Sequence, residues 1–530
     1  MLSQDKQSKA RADDLLEWLR SYANERINSR LIDERRCIPP YIVLDLGNRG
    51  LLGMQVPPNY GGIGLSNQDT LRVIQQLGAI DPTLASFVGV HNVLGIRPLM
   101  NYAGDQLRDE LLPLIATGRE LAAFALTEPG AGSNPQAISA KATPDSQGGW
   151  RLQGTKIWIG SAAWASVINV FVQTFDAEGQ YLGVSGFVVR QGTTGLRQGP
   201  EALTMGLRGM VQNAVYLDNV SIDSEHLLGE MGVGMKAAQD AMMHGRLCIT
   251  AASLGGMKRC AQLMLRYAKR RNISTGQLLK NPVTLAKLTD ITEAIMAVES
   301  LVTRIAKLLD DGCAIPVEAY AACKIVGPEF FWQAADSLVQ MLGGRGYIET
   351  NIAPQLLRDS RILRIYEGPT ETLNMFIGSK ISNKSEELYQ FICQGLEAPQ
   401  IADILKVAVE QINARYTSSK IPFSERSVAS RWLYACTGEV VTLAILLAAV
   451  EGAFKRSGSE RLYRTVTWAK LNFEQKLERV LSGTPAELVM SSSDTITELI
   501  SDYSNAIGEI EQTLPGEERE LDEMLYYSKL

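Results

Sequence analysis

Arg358-Asp359-Ser360-Arg361-Ile362-Leu363-Arg364-Ile365-Tyr366-Glu367-Gly368 is the stretch on which the reading of this 530-residue chain turns. Its arginines recur every third residue, and a carboxylate and a glycine close it. A glycine-rich turn, Gly343-Gly344-Arg345-Gly346-Tyr347, comes just before. A glutamate at the end of an element, beside a glycine that frees the backbone, suits removal of a carbon-bound proton. That task needs water kept away, so that the carboxylate's basicity rises toward the working pH. Read alone, such a glutamate is more commonly one end of an ion pair with a neighbouring arginine.

Working outward, the chain is too long for a single ordinary core and implies three or four domains. Lysine and arginine number 52 against 58 aspartates and glutamates, a net charge of 52 − 58 = −6. There is no basic run of the kind that tracks a phosphate backbone, so no nucleic-acid partner is expected. Seven cysteines, never in a C-x-x-C pair, read as reduced, mostly buried thiols of a cytoplasmic protein. His91, His226 and His244 are the three histidines and none sits at metal-ligand spacing, so no metal is expected. Asp5, Asp13, Asp14 and Glu17 argue against a signal or transit peptide. The apolar run Val440 to Val450 is shorter than a bilayer span and reads as a buried bundle helix.

The pattern changes along the chain. Residues 1–120 read as helical, with apolar positions at helical spacing and longer patterns after Asn67 and Ala103. Residues 121–235 carry short β-rich runs such as Ile168 to Phe175 and Gly186 to Arg190. Strand alternation over Trp150 to Gly160 would place Lys156, Trp158 and Gly160 on one face and Ile157 and Ile159 on the other. Residues 236–380 return to helix, including one that begins near Val317 and bends at Gly327-Pro328 on its way to Gly343. Residues 381–530 form a further helical segment whose charged tail, Gly516 to Glu520, is expected to be solvated.

Phe124-Ala125-Leu126-Thr127-Glu128-Pro129-Gly130-Ala131-Gly132-Ser133, then Lys156-Ile157-Trp158-Ile159-Gly160, then the Glu367 stretch, taken in that order, resemble the acyl-CoA dehydrogenase flavoproteins. The likeness covers roughly residues 10 to 380. It implies an α+β multidomain fold: an N-terminal helical domain, a central β-barrel or sandwich, a C-terminal four-helix bundle and, here, an extra helical domain like that of very-long-chain members. By the same resemblance Glu367 is the base that takes the α-proton of an acyl thioester, FAD takes hydride at N5, and a trans-2-enoyl thioester results. The Glu367 N–H and a ribityl hydroxyl would face the enolate oxygen. Relatives that place the base on another helix have it where this chain has Gly245, which cannot serve.

The resemblance assigns Phe124, Leu126, Thr127, Gly132 and Ser133 to the flavin, with Ser133 also near the thioester. A plain Pro-Gly turn is the competing reading of that loop. Trp158, commonly core when it stands on a strand, matches the residue packed on the isoalloxazine, with Ile159 beside it. Relatives carry a hydroxyl two residues after this tryptophan; here Gly160 or Ser161 stands in. Arg271 matches a pyrophosphate contact, and Gln340, Gly343 and Gly344 match residues given to FAD by a neighbouring subunit. Pro369 stands where relatives have threonine, which leaves Thr370 as the phosphate or ribityl contact. Arg246, Tyr366 and Gly368 are substrate-cleft candidates, and Arg208 is expected to hold a domain junction.

The implied partners are acyl-CoA or an acyl carrier protein, an electron-transferring flavoprotein, and a second copy in a homodimer. A carrier-protein-linked dehydrogenase, a flavin oxidase or monooxygenase, and a non-catalytic flavoprotein scaffold remain alternatives.

Overall fold

Helix starts follow capping chemistry. The Ser66 hydroxyl accepts from the Asp69 N–H, and buried Asp81 accepts from the Thr83 and Leu84 N–H groups with Pro82 at the first helical position. In the computed structural model, which describes residues 4–382, 386–417, 426–482 and 493–507, seven helices open the chain. They are α1 (Gln4–Arg26), α2 (Ser29–Arg35), α3 (Pro40–Asn48), α4 (Asn67–Ile80), α5 (Pro82–Gly89), α6 (Arg97–Tyr102) and α7 (Asp105–Ala116), with a π-helical stretch Val90–Ile96 between α5 and α6. The expected solvated tail at 516–520 lies outside the described residues.

The middle of the chain forms β1 (Ala122–Ala125), β2 (Lys141–Pro144), β3 (Trp150–Gly160), β4 (Val167–Phe175), β5 (Tyr181–Arg190), β6 (Leu196–Glu201), β7 (Gln212–Ile222) and β8 (Leu227–Leu228). The strand path runs β6-β7-β3-β2-β4-β5-β8, with β1 pairing β4. Its two ends are β6 and β8, so the expected barrel is not closed and the sandwich description is the one that fits. Both faces of β4 are buried. Val167 and Phe171 join Leu99, Leu111 and Ile115 of the helical layer, while Ile168, Val170 and Val172 join Val215 and Leu217 across the sheet. The polar member of this run, Asn169, donates its amide to the carbonyls of Leu94 and Gly95 at 3.0 and 2.8 Å.

Strand β3 departs from simple alternation. Its pairing with β7 shifts register between Lys156 and Ile159, and Trp158 takes φ +55. Lys156, in register with Val215 just before this bulge, is fully buried, while Trp158 within it stands half exposed, so the two do not share a face.

Helices α8 (Gly234–Arg270), α9 (Pro282–Asp310), α10 (Val317–Leu342) and α12 (Ile352–Leu363) make the bundle, with the single-turn helix α11 (Gly344–Tyr347) between the last two. A short hairpin, β9 (Asn272–Ile273) with β10 (Gly276–Gln277), follows α8. Helix α10 continues through Pro328. Thr250 meets Gly327 and Gly256 meets Phe331, so α8 and α10 run side by side in the same direction. A Cβ on Gly256 would fall 2.3 Å from the Phe331 ring, so that approach requires glycine.

The molecule divides into two compact units, residues 1–369 and 370–530. The second contains α13 (Thr370–Ser382), α14 (Glu386–Gln390), α15 (Pro399–Thr417), α16 (Arg426–Ser457), α17 (Glu460–Ser482) and α18 (Ser493–Ile507). Within it the backbones of α13 and α16 nearly touch, Gly378 against Tyr434 and Gly438 against Asn374. The apolar run at 440–450 belongs to a much longer element than the run itself. Ser430–Ser457 is long and apolar enough to cross a membrane by length and composition, and 67% of its most apolar window is buried inside the protein. The cysteines are less hidden than expected: Cys248, Cys260 and Cys323 are buried, Cys393 and Cys436 half-buried, and Cys37 and Cys313 exposed.

Candidate active site

Helix α12 ends at Leu363, and the Ile365 and Tyr366 N–H groups turn back onto the Ile362 carbonyl. The chain then places two successive residues in the left-handed region, Glu367 at φ +58 and Gly368 at φ +100. For glutamate this costs about 1–2 kcal/mol. The three arginines that precede it are committed elsewhere. Arg358 pairs with Asp33 and with Glu349 at 3.0 Å. Arg364 pairs with Glu329 at 2.8 Å, and Arg361 and Arg364 both lie over the Trp332 ring. The ion-pair reading of Glu367 with its own helix therefore fails.

Glu367 instead faces an apolar cleft lined by Ser86, Gly89, Leu94, Gly245, Ile249 and Tyr366. Its Oε2 is buried with no hydrogen-bond partner among the described residues. Burial pushes its pKa from 4.5 up to about 7, against the opposing pull of Arg246 and Lys324. Arg246 on α8 donates Nε to the Glu367 carbonyl at 3.2 Å, and Lys324 on α10 donates Nζ to the Gly368 carbonyl at 2.6 Å. The Tyr366 hydroxyl bonds Ser86, and burial raises its pKa. A Cβ on Gly245 would stand 3.7 Å from the Glu367 carboxyl carbon, so the two possible base positions converge on one spot. The result is a desolvated carboxyl lining an apolar slot, its pKa raised to about 7, suited to shuttling one proton.

The sandwich supplies the wall. The Ile157 N–H donates to the Thr127 carbonyl at 3.0 Å, which joins the Phe124–Ser133 loop to β3. Beneath them Lys156, fully buried, donates Nζ to the Leu126 and Phe171 carbonyls and to Glu128 at 2.7 Å. Glu128 in turn accepts from the Ser139 N–H and hydroxyl and from the Ala140 N–H. Sequence reasoning missed this cluster, because alternation alone puts Lys156 on the Trp158 face and gives no sign of a partner as remote in sequence as Glu128. Phe124 packs on Phe171 with ring centroids 4.9 Å apart, and Leu126 lies in the core. Gly132 and Ser133 are exposed, with open space where a Cβ on Gly132 would sit. The exposed Trp158 follows Ile157, the residue that bonds this loop, and is followed by buried Ile159. A Cβ on Gly160 would meet the Met210 methyl at 2.5 Å, so Met210 fills the space beside this glycine. Ser161 lies in the left-handed region with its hydroxyl buried and without a partner among the described residues. Trp164 meets Phe87 edge-on, next to Ser86 and hence to Tyr366, which brings this wall to the Glu367 cleft.

The remaining candidates lie elsewhere. Arg271, exposed, caps α8 roughly 37 Å along the helix from Arg246, and Gln340 lies roughly 24 Å along α10 from Lys324. Since α8 and α10 run in the same direction, Arg271, Gln340, Gly343 and Gly344 share one far, exposed end. Thr370 begins the second unit. Arg208 reaches Asp33 at 3.6 Å while the Leu207 N–H donates to Asp359, so this loop ties the sandwich to α2 and α12. Burial raises Asp359 to about 8 there.

Family models match in chain order: the acyl-CoA dehydrogenase N-terminal domain over residues 10–119, the middle domain over 123–220 and the C-terminal domain over 232–382. The chain is 32% identical over 347 residues to the mitochondrial very long-chain specific acyl-CoA dehydrogenase of Macaca fascicularis, which covers 64% of this chain and 53% of that protein. It thus spans about half the length of the very-long-chain relatives it matches. To the mouse short-chain specific enzyme it is 30% identical over 350 residues, 66% of this chain and 84% of that protein. Among solved structures, an acyl-CoA dehydrogenase from Bacillus anthracis, crystallised with FAD, shares the fold over 99% of this chain and 95% of its own, at TM-score 0.76 and 21% identity.

Proposed function

The chain belongs to the acyl-CoA dehydrogenase family, and from that premise we propose that it oxidises a saturated acyl thioester to the trans-2-enoyl thioester, with Glu367 as base. The observation that carries this reading is the Glu367 carboxyl itself. It is aimed into an apolar cleft by a strained turn, is free of any ion pair with its own helix, and titrates near 7. A deprotonated Glu367 takes the proton from the carbon next to the thioester, and the surrounding apolar side chains exclude the water that would lower its basicity. The Glu367 N–H is the proposed donor to the thioester oxygen, and Arg246 and Tyr366 shape the cleft around it.

The family works with FAD, and the residues present fit it. A half-exposed indole on a strand, beside a loop with open space at Gly130 and Gly132, is a ready face for a planar ring. When bound, the flavin supplies the acceptor for the hydride from the β-carbon. Phe124, Thr127, Gly132, Ser133, Trp158 and Ser161 would hold its ring. The far end bearing Arg271, Gln340, Gly343 and Gly344 suits the adenosine side of a cofactor shared with a second subunit, which supports a homodimer. An electron-transferring flavoprotein is the proposed acceptor and the cytoplasm the proposed compartment. Anaerobic titration with saturated acyl-CoA thioesters of graded length, with the carrier-protein thioester in parallel, tests this by flavin bleaching. Bleaching by the carrier form alone would replace CoA in the proposal, and no bleaching by either would refute it.

Gly160 and its filling by Met210 favour one second reading, an oxidase, since no side-chain hydroxyl stands at that position. Rapid peroxide formation in air without any added acceptor would establish it.

A further inference from the structure

We propose that Lys324 is a positioning residue for the base, one half of a two-cation clamp that holds the Glu367–Gly368 turn in the form that aims the carboxyl into the cleft. The proposal rests on the reading of Glu367 as base and adds to it a residue that neither the sequence motifs nor the cleft lining singled out. Two successive left-handed residues, one of them not glycine, persist only when their surroundings over-determine them. On the N-terminal side the turn is tied to α12 through Ile362, and on the C-terminal side Pro369 has no N–H to offer. Their two carbonyls are taken by cations from two different helices, Arg246 of α8 on Glu367 and Lys324 of α10 on Gly368.

Lys324 is fully buried inside an otherwise apolar stretch of α10 from Ala319 to Val326. Enclosing an ammonium this completely is expensive, and a bundle that needed only volume there would be better served by leucine or methionine. The same charge acts on the carboxyl. With Arg246 it pulls the Glu367 pKa down against burial. The other polar groups around the cleft are Tyr366 of the turn itself, Cys248 of α8 and Ser86 of α5. One turn earlier on α8, His244 lies beside Asp240 and Arg97, and burial lowers its pKa to about 4. Lys324 and Arg246 are thus the two cations that pull on Glu367 among the described residues.

The test compares full-length, flavin-loaded wild type with Lys324→Met and with Lys324→Gln, which keeps a donor for Gly368 but no charge. The infrared band of the protonated carboxyl is assigned by its loss in Glu367→Gln and followed against pH. In parallel, the pH dependence of kcat/KM is measured with a saturated acyl-CoA. Both neutral variants should move the carboxyl midpoint upward by about one pH unit, and kcat/KM near pH 7 should fall roughly five- to tenfold and recover as pH rises. An unmoved midpoint, or a loss of turnover equal at every pH, would show Lys324 to be packing alone. If Lys324→Met fails to fold, Lys324→Gln decides the matter. Should the midpoint move while wild-type flavin is never bleached by any thioester, the reading of Glu367 as base fails and the clamp stands.

Discussion

Replacing Glu367 with glutamine should give a protein that no longer turns over yet resists unfolding better, and does so only toward neutral and alkaline pH. In the unfolded chain the carboxyl titrates at its ordinary 4.5, and in the fold burial lifts it to about 7. Below 4.5 it is neutral in both states and makes no difference. Between 4.5 and about 7 the unfolded chain ionises while the fold resists, so wild-type stability is lost as pH rises, and above 7 the penalty is complete. The gap, 7 − 4.5, is worth about 3 kcal/mol. Glutamine carries no such dependence, and its own desolvation cost is the same at every pH. The quantity to measure is therefore a difference of differences: glutamine variant minus wild type at about pH 8, less the same comparison at about pH 5. Urea unfolding of the flavin-loaded proteins, followed by flavin release, supplies it. A gap of 2–4 kcal/mol is the expected outcome. A gap indistinguishable from zero would mean that the carboxyl is not desolvated, and the argument for it as base would fall with it.

The same carboxyl should govern the rate. Only its ionised form accepts a proton, so kcat/KM should drop about tenfold per pH unit below 7, and a pH profile with an acid limb near 4.5 would contradict this. Lys156→Met should strand buried Glu128 without its cation at a cost of about 3–5 kcal/mol, seen as a lower melting temperature and lost flavin; adding Glu128→Gln should recover part of it. Gly160→Ser should lower the melting temperature by crowding Met210, at about 1–3 kcal/mol, and Met210→Ala in the same chain should relieve it.

Much of this was legible beforehand, and what was not has a physical reason. The helix–sheet–helix order follows from periodicity, and the Glu367 and Phe124–Ser133 motifs stand on elements that the sequence marks with caps and turns. Lys156 falls on the face of Trp158 in simple alternation because the bulge after it, which turns Trp158 away, is set by partner strands that one segment cannot reveal. Lys324 does not stand out in the sequence because a helical lysine ordinarily reaches for water. Its one signal was a lone charge amid Ala319 to Val326. The arginine triad drew attention to itself but serves Asp33, Glu329 and Trp332, partners remote in sequence. The element around Val440–Val450 outruns the unbroken apolar run because the mixed flanks on either side, interrupted by charges such as Arg431, Glu439, Glu451 and Lys455, stay helical in α16.

The side-by-side course of α8 and α10 makes residue count a measuring device. Between the shared contacts at Gly256 and Phe331 and the exposed far end, each helix sets a length at about 1.5 Å and a bearing at about 100° per residue. One residue inserted between Gly256 and Tyr267 would barely lengthen the molecule but would swing Arg271 about a quarter-turn away from Gln340. Indels should accordingly be tolerated in the hairpin after Arg271 and penalised within this stretch, however conservative the residue added.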